Sequence, residues 1–248
     1  MTRLRNLGTA KYSADPLARA LDSEFEKASI GDVHARGKYV LAPAFCLTNG
    51  EPRVFKTDHN RDLSGHSDYL LRDVALASCA APTYFPVHPI VKPTTGVKEE
   101  FCDGGVFSND PSLLGYVEAV TYLGQRPENV RVLSVSTPRA FLGARRSVGD
   151  LNWGVVKWGL RGVPFVIDGT AKTTHNLLRQ IAGETGATYE RFELANQSSS
   201  GTAVEVIDDA STEATEALLQ IGAEAAESRE SAEILAKFFY SSEGVVSG

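Results

Sequence analysis

The segment FCDGGVFSNDPS, Phe101 to Ser112, combines an acid, two glycines and a predicted helix start. The apolar residues Phe101 and Cys102 predict the end of a buried strand, which puts Asp103 at a strand end. Gly104 and Gly105 follow at once, and glycine permits backbone conformations that are closed to residues with side chains. The pattern therefore predicts a strand, a tight glycine turn and, in the turn, an acid held in a fixed position.

The same segment predicts where the next helix begins. Asp110 is a good N-cap, and Pro111 suits the first helical turn. A strand, a glycine turn and a capped helix commonly hold a catalytic group rigidly. The alternative is that Asp103 and its two glycines form only a turn, because Asp and Gly dominate turns for local reasons. The residues of this segment leave both interpretations open.

Two blocks of sequence resemble the patatin-like phospholipases. DGGVFSNDPSLLGYVEA, which starts at Asp103, resembles the Asp-Gly-Gly/Ala block of that family. LRDVALASCAAPTYFPV, just upstream, resembles the family's Ala-Ala-Pro-Thr-Tyr-Phe-Pro segment. Both stand in the family's order and at a compatible spacing. The resemblance implies a serine acyl hydrolase that acts on lipids or other acyl esters, in which Asp103, followed by Gly104 and Gly105, is the general base of a Ser-Asp dyad.

The serine of that dyad has no counterpart in the sequence. An acyl hydrolase of this type needs a serine on a Gly-x-Ser-x-Gly elbow, together with N–H donors for the oxyanion. The 248 residues contain no such pattern: Gly65-His66-Ser67-Asp68-Tyr69 lacks the final glycine, and nothing gives Ser108 an elbow. We therefore expect a truncated or split member that lacks the family's N-terminal strands. An incomplete gene product, a separate polypeptide that supplies the elbow, and a catalytically inactive binding or scaffold protein all remain open.

The fold class expected from the resemblance is α/β, in three α/β/α layers with a mostly parallel central sheet. We expect one truncated patatin-like domain over residues 1–240 and a flexible tail over 241–248. VRVLSVS at 130–136 predicts a buried strand, so the helix between it and Asp103 predicts a parallel crossover. Asn49-Gly50 predicts a hairpin turn. Helices are predicted from Asp15 and Ser67, and over 168–181 and 211–226, with a strand at 189–194.

A tryptophan-rich segment, WGVVKWGLRGVPFVI at 153–167, has two interpretations. Tryptophan favours interfaces, and an acyl substrate needs an apolar entrance, so the segment could contact lipid or form a lid. A buried helix is the other interpretation.

Composition and charge limit the partners. The sequence has 31 acidic and 25 basic residues, a net charge of -6, which argues against nucleic acid because phosphate binding relies on clustered cations. We expect a lipid or acyl-ester substrate and peripheral membrane contact at most. No apolar run is long enough for a signal peptide or a membrane span, which favours a cytoplasmic protein.

The candidate metal ligands show no ligand pattern. His59 and His66 lack metal-ligand spacing and are predicted to be loop residues. Cys46, Cys79 and Cys102 are widely spaced among apolar neighbours and are predicted to be buried thiols of a reducing compartment. We expect no metal and no cofactor.

Overall fold

The computed structural model describes residues 9–61, 65–137, 155–194 and 209–240, without the side chains of 155–164, 237 and 240. The chain divides into two compact units. The first consists of Met1–Gln125 and Val155–Leu177, and the second of Arg126–Gly154 and Leu178–Gly248. The expected single domain over 1–240 stays a prediction.

The first unit contains the region around Asp103. Its elements in chain order are α1 (Asp15–Phe25), α2 (Ile30–Ala35), β1 (Leu41–Cys46), β2 (Glu51–Lys56), α3 (Leu71–Ser78), β3 (His88–Val91), β4 (Lys98–Asp103), α4 (Gly105–Ser108), α5 (Ser112–Thr121) and the first part of α6 (Val155–Thr185).

The sheet of the first unit has the strand order β2-β1-β4-β3, and every neighbouring pair is antiparallel. The α/β class is confirmed, whereas the expected mostly parallel central sheet is not. The reason is that short turns join β1 to β2 and β3 to β4, and strands joined this way run antiparallel. The predicted hairpin at Asn49-Gly50 is confirmed, with Gly50 at a φ of 69°.

The core of this unit lies between the sheet and α3. Phe55 is the centre of an aromatic cluster, with its ring centroid 5.1 Å from that of Tyr69 and 5.3 Å from that of Phe101. Val74 and Ala77 of α3 are buried in the same core. Through Phe101, the strand that ends at Asp103 is fixed by packing against this core.

Two predicted helix starts are a few residues early. α5 begins at Ser112, where the Asp110 carboxylate accepts the Ser112 N–H at 3.0 Å and is also hydrogen-bonded by the Ser112 hydroxyl. α3 begins at Leu71, and Ser67 does not cap it because the Ser67 side chain is hydrogen-bonded elsewhere.

A buried ion cluster ties α5 to the end of β2. The Glu118 carboxylate lies 2.9 Å from Lys56 Nζ and 2.9 Å from His59 Nε2. The other ring nitrogen of His59 lies 2.9 Å from the hydroxyl of the buried Thr57. His59 lies in a loop, as predicted, and its ring joins this loop to the helix that follows the Asp103 segment.

The second unit contains β5 (Arg131–Val135), the end of α6, β6 (Thr188–Phe192), α7 (Thr212–Glu227) and α8 (Arg229–Tyr240). β5 and β6 pair in parallel from Arg131 with Thr188 to Val135 with Phe192. The predicted strands at 130–136 and 189–194 and the helices over 168–181 and 211–226 are therefore confirmed. The burial predicted for the first of these strands is wrong, because within β5 only Ser134 is buried and Val135 is 67% exposed. The predicted crossover from β4 to β5 is wrong, because the two strands belong to different sheets.

Several predictions fall outside the described residues. Trp153 and the tail over 241–248 are not described, and the side chain of Trp158 in α6 is not described either. The choice between a lid and a buried helix for this segment therefore stays open. Across the described ranges, no helix combines the length and the apolar character that a membrane crossing requires.

Candidate active site

Asp103 is the last residue of β4, as the sequence predicts. It pairs with Ala44 of β1, and its N–H donates to the carbonyl oxygen of Ala80 at 3.0 Å. The carboxylate oxygen Oδ1 accepts the N–H of Gly105 at 2.6 Å. The sheet on one side and the start of α4 on the other thus fix both the main chain and the carboxyl group.

Burial raises the pKa of Asp103, and the Gly105 N–H only partly opposes this shift. A carboxylate surrounded by low-dielectric material loses hydration in its charged form, so protonation becomes easier. A carboxylate that must accept a proton from a neutral hydroxyl needs a shift in this direction. Burial, with the negative charge of Asp103 as a second cause, also raises the pKa of the Cys102 thiol.

Glycine is required at position 104 because a side chain would have no room there, and not because the backbone conformation is unusual. Its φ is -67°, which any residue can adopt. A Cβ atom at Gly104 would lie 2.2 Å from the carbonyl oxygen of Pro43 and 2.3 Å from its carbonyl carbon. The Pro43 carbonyl is itself fixed, because it accepts the Ser78 hydroxyl at 2.7 Å. The conformational role predicted for Gly104 is therefore wrong, and close backbone packing takes its place.

The Ala-Ala-Pro-Thr-Tyr-Phe-Pro segment connects α3 to β3 and contains a tight turn. The Tyr84 N–H donates to the Ala81 carbonyl oxygen at 3.1 Å, and Thr83 has a φ of 73°. A proline at the second position and a positive φ at the third are typical of a type II turn, in which glycine is usual at the third position. A threonine there is strained, so the turn is held by its surroundings.

Of the three cysteines, Cys46 and Cys102 are buried, as predicted, whereas Cys79 is exposed. Ser108 does not face Asp103. Its N–H donates to the Gly104 carbonyl oxygen at 2.8 Å, and its hydroxyl lies 3.5 Å from the Asp110 carbonyl oxygen.

Ser67 and Asp58 form a hydrogen-bonded serine and aspartate pair elsewhere in the first unit. The Ser67 hydroxyl donates to Oδ2 of Asp58 at 2.7 Å, and the same carboxylate accepts the N–H groups of Gly65, His66 and Ser67. Burial alone would raise the pKa of Asp58, but these hydrogen bonds together lower it. Asp58 is therefore a poor base, and the N–H groups that could bind an oxyanion are occupied by its carboxylate. The pair closes the loop after β2.

The sequence interpretation missed the Ser67 and Asp58 pair. The separation of the two residues follows no catalytic pattern, so the only available signal was the polar composition of the loop. Within the described part of the chain, no group of three or more His, Cys, Asp or Glu side chains could hold a metal ion.

Comparisons with known proteins place the first 114 residues in one family model. The family model for patatin-like phospholipases matches residues 1–114. A cGAMP-activated phospholipase of Pseudomonas aeruginosa (strain BWHPSA011 / Pa011) is 33% identical over 221 residues, 88% of this chain and 62% of the relative. The cGAMP-activated phospholipase of Vibrio cholerae serotype O1 (strain ATCC 39315 / El Tor Inaba N16961) is 35% identical over 132 residues, 51% of this chain and 35% of the relative.

A plant protein extends the comparison. Patatin-2-Kuras 3 of Solanum tuberosum is 26% identical over 213 residues, 79% of this chain and 55% of the relative. The chain thus spans less than two thirds of the length of each of these three relatives. Residues 1–114, which include Asp103, Gly104 and Gly105, therefore match the patatin-like phospholipase family.

Proposed function

We propose that the chain carries the general base, Asp103, of a serine acyl hydrolase whose substrate is a phospholipid or another fatty-acyl ester. The observation that carries the proposal is the half-buried carboxylate of Asp103 at the end of β4, with its pKa raised by partial burial. The names of the relatives support a lipid substrate, because two of the three are called phospholipases.

Asp103 accepts a proton in both halves of the proposed reaction. A serine Oγ attacks the ester carbonyl carbon while its proton passes to the Asp103 carboxylate. The protonated Asp103 then gives this proton to the departing alcohol, which leaves an acyl-serine. Water attacks the acyl group, and Asp103 takes the proton from that water. The fatty acid leaves, and the proton returns to the serine.

The two oxygens of Asp103 have different tasks in this scheme. Oδ1 accepts the Gly105 N–H, which fixes the orientation of the carboxyl plane. Among the described residues, none donates a hydrogen bond to Oδ2, so Oδ2 is the oxygen that takes the proton. The hydrogen bond to Oδ1 partly opposes the rise in the pKa of Asp103 that burial causes.

The serine is not part of the 248 residues, because none of their serines stands in a Gly-x-Ser-x-Gly pattern. We propose that sequence outside these residues supplies it, on the same polypeptide or on another one. The Ser67 and Asp58 pair does not substitute for it, since the low pKa of Asp58 and its occupied N–H groups oppose both proton transfer and oxyanion binding.

The proposal is tested by reconstituting the chain with a segment that carries the Gly-x-Ser-x-Gly elbow. The chain is co-expressed with the elbow-bearing segment of a patatin-like phospholipase, and hydrolysis of nitrophenyl butyrate is measured. Asp103→Asn keeps the shape of the side chain but cannot take the proton, so activity should fall by at least about 10²-fold. Asp68→Asn, which removes an exposed carboxylate, is the control and should retain activity.

Two outcomes contradict the proposal. Near-full activity of Asp103→Asn would remove Asp103 from the mechanism. A stable complex without hydrolysis would favour a catalytically inactive binding protein. The assay is run with and without cGAMP, because the Pseudomonas and Vibrio relatives are named as cGAMP-activated.

A further inference from the structure

The pairing of β1 with β4 ends at Asp103. The last pair of this ladder is Ala44 with Asp103, and Gly104 follows outside β4. Pro43, the next residue of β1, pairs with Val54 of β2 and lies beyond the β1–β4 ladder. Asp103 is therefore the last residue of β4 that β1 holds by pairing, and the main chain after it needs another support.

The end of α3 supplies that support. Ser78 is the last residue of α3, and its hydroxyl donates to the Pro43 carbonyl oxygen at 2.7 Å. Two residues later, the Ala80 carbonyl oxygen accepts the Asp103 N–H at 3.0 Å. One end of one helix thus holds both β1 and β4 at the point where the ladder between them stops.

The position of the Pro43 carbonyl reaches the carboxyl group of Asp103 through two glycines. Gly104 packs so closely against this carbonyl that a Cβ atom on it would lie 2.2 Å from the oxygen. Gly105 follows, and its N–H donates to Oδ1 of Asp103 at 2.6 Å. A shift of the Pro43 carbonyl therefore releases the main chain that carries the N–H by which the carboxyl plane is oriented.

The hydrogen bond of Ser78 is not explained by the needs of α3 itself. Serine is a poorer helix former than alanine, and a serine within a helix commonly bonds to a carbonyl oxygen three or four residues earlier. The Ser78 hydroxyl instead crosses to a strand residue 35 positions earlier in the chain. Its contribution is therefore to the strands beside Asp103.

We propose that Ser78 is a positioning residue for Asp103. Through the Pro43 carbonyl and Gly104, its hydroxyl holds the Asp103 carboxylate in the orientation that accepts a proton. This inference rests on the proposed function. Ser78 acts through other residues, so its loss should slow proton transfer, which depends on hydrogen-bond geometry, and leave substrate binding unchanged.

The first measurement follows amide exchange by NMR in the chain alone. The Gly105 amide reports the orientation of the Asp103 carboxylate that it binds. The Ser112 amide, which donates to the Asp110 carboxylate at 3.0 Å, is the internal reference. Ser78→Ala should speed exchange at Gly105 by about 2- to 12-fold, the range that one net hydrogen bond accounts for, and leave the Ser112 rate unchanged.

Three further variants separate the hydroxyl from other effects of the substitution. Ser78→Thr keeps the hydroxyl and should leave Gly105 exchange at the wild-type rate. Ser78→Cys keeps the shape but has a weaker donor, so it should give an intermediate rate, and it covers the case in which Ser78→Ala fails to fold. Thr170→Val is the matched control. It removes a half-buried hydroxyl that donates to the Ile167 carbonyl oxygen at 3.0 Å within α6, and it should not change Gly105 exchange.

The second measurement uses the chain reconstituted with the elbow-bearing segment and nitrophenyl butyrate as substrate. Ser78→Ala should lower kcat by about 2- to 12-fold and change KM by less than about twofold. Ser78→Thr should restore kcat. A residue that only stabilises the fold would not separate kcat from KM in this way while leaving the Ser112 amide unchanged.

Three results overturn the proposal. Exchange at Gly105 that stays at the wild-type rate in Ser78→Ala shows that the hydroxyl does not hold the carboxyl group. Equal acceleration at Gly105 and Ser112 makes Ser78 a residue that stabilises the whole unit. Wild-type kcat for Ser78→Ala in an active complex removes Ser78 from the reaction. Failure of the Asp103→Asn test would sink the proposed hydrolysis and leave the exchange result standing.

Discussion

Replacing Gly104 by alanine tests the close contact beneath Asp103. The new Cβ would lie 2.2 Å from the Pro43 carbonyl oxygen, 2.3 Å from its carbon and 2.7 Å from Pro43 Cβ. Two of these atoms are backbone atoms, so no side-chain rotation relieves the clash, and β1 and β4 must separate. Overpacking of a core in this way costs about 1–3 kcal/mol.

The matched control is Gly115→Ala. Gly115 lies in α5, and a Cβ there would meet no atom within 4 Å. Alanine is favoured over glycine in a helix by about 0.5–1 kcal/mol, so this variant should be more stable than wild type. The same chemical change therefore has opposite expected signs at two glycines of the first unit.

Hydrogen exchange measured by mass spectrometry is the assay, because two units need not unfold together. The informative amide is that of Asp103, which is hydrogen-bonded to Ala80. At about 1.4 kcal/mol per factor of ten, Gly104→Ala should speed its exchange by about 5- to 150-fold. Gly115→Ala should slow it by about 2- to 5-fold if exchange requires unfolding of the whole unit. Exchange of Gly104→Ala at the wild-type rate would refute the contact with Pro43.

The remaining predictions concern charged groups of both units. Because burial raises the pKa of Asp103, the stability this group contributes is complete below its unfolded pKa of about 3.8 and is lost as pH rises through its folded pKa. Asp103→Asn should therefore have a higher free energy of unfolding than wild type in urea melts at pH 7, and this difference should disappear near pH 3.5. If the variant and wild type are equally stable at both pH 7 and pH 3.5, the burial argument is contradicted. Glu118→Ala leaves Lys56 and His59 without their buried partner, so it should cost about 3 kcal/mol in the same melts. Glu128→Ala breaks an ion pair with Arg126, in which the side chain of Arg126 is 75% exposed and that of Glu128 is 50% exposed. Its free energy of unfolding should differ from wild type by no more than about 0.5 kcal/mol. Similar losses of stability for Glu118→Ala and Glu128→Ala would contradict the role of burial.

Local signals in the sequence were enough to predict the secondary-structure elements around the candidate active site. Asn49-Gly50 predicted the hairpin because these residues favour turns, and the loop between Cys46 and Glu51 does end in Gly50 at a positive φ. The spacing of apolar residues predicted α3, and the apolar run before Asp103 predicted the end of β4. These features depend on neighbours within a few residues, so the sequence carries them directly.

Tertiary structure alone decided the contacts between distant segments. The direction of the sheet followed from which strands pair, and the need for glycine at 104 came from Pro43, 61 residues earlier in the chain. The partners of Ser67 and His59 are Asp58 and Glu118, and no periodicity or turn signal connects such pairs. The raised pKa of Asp103 and the lowered pKa of Asp58 also depend on burial and on hydrogen bonds that exist only once the chain has folded, because an aspartate has the same intrinsic chemistry at every position in the sequence.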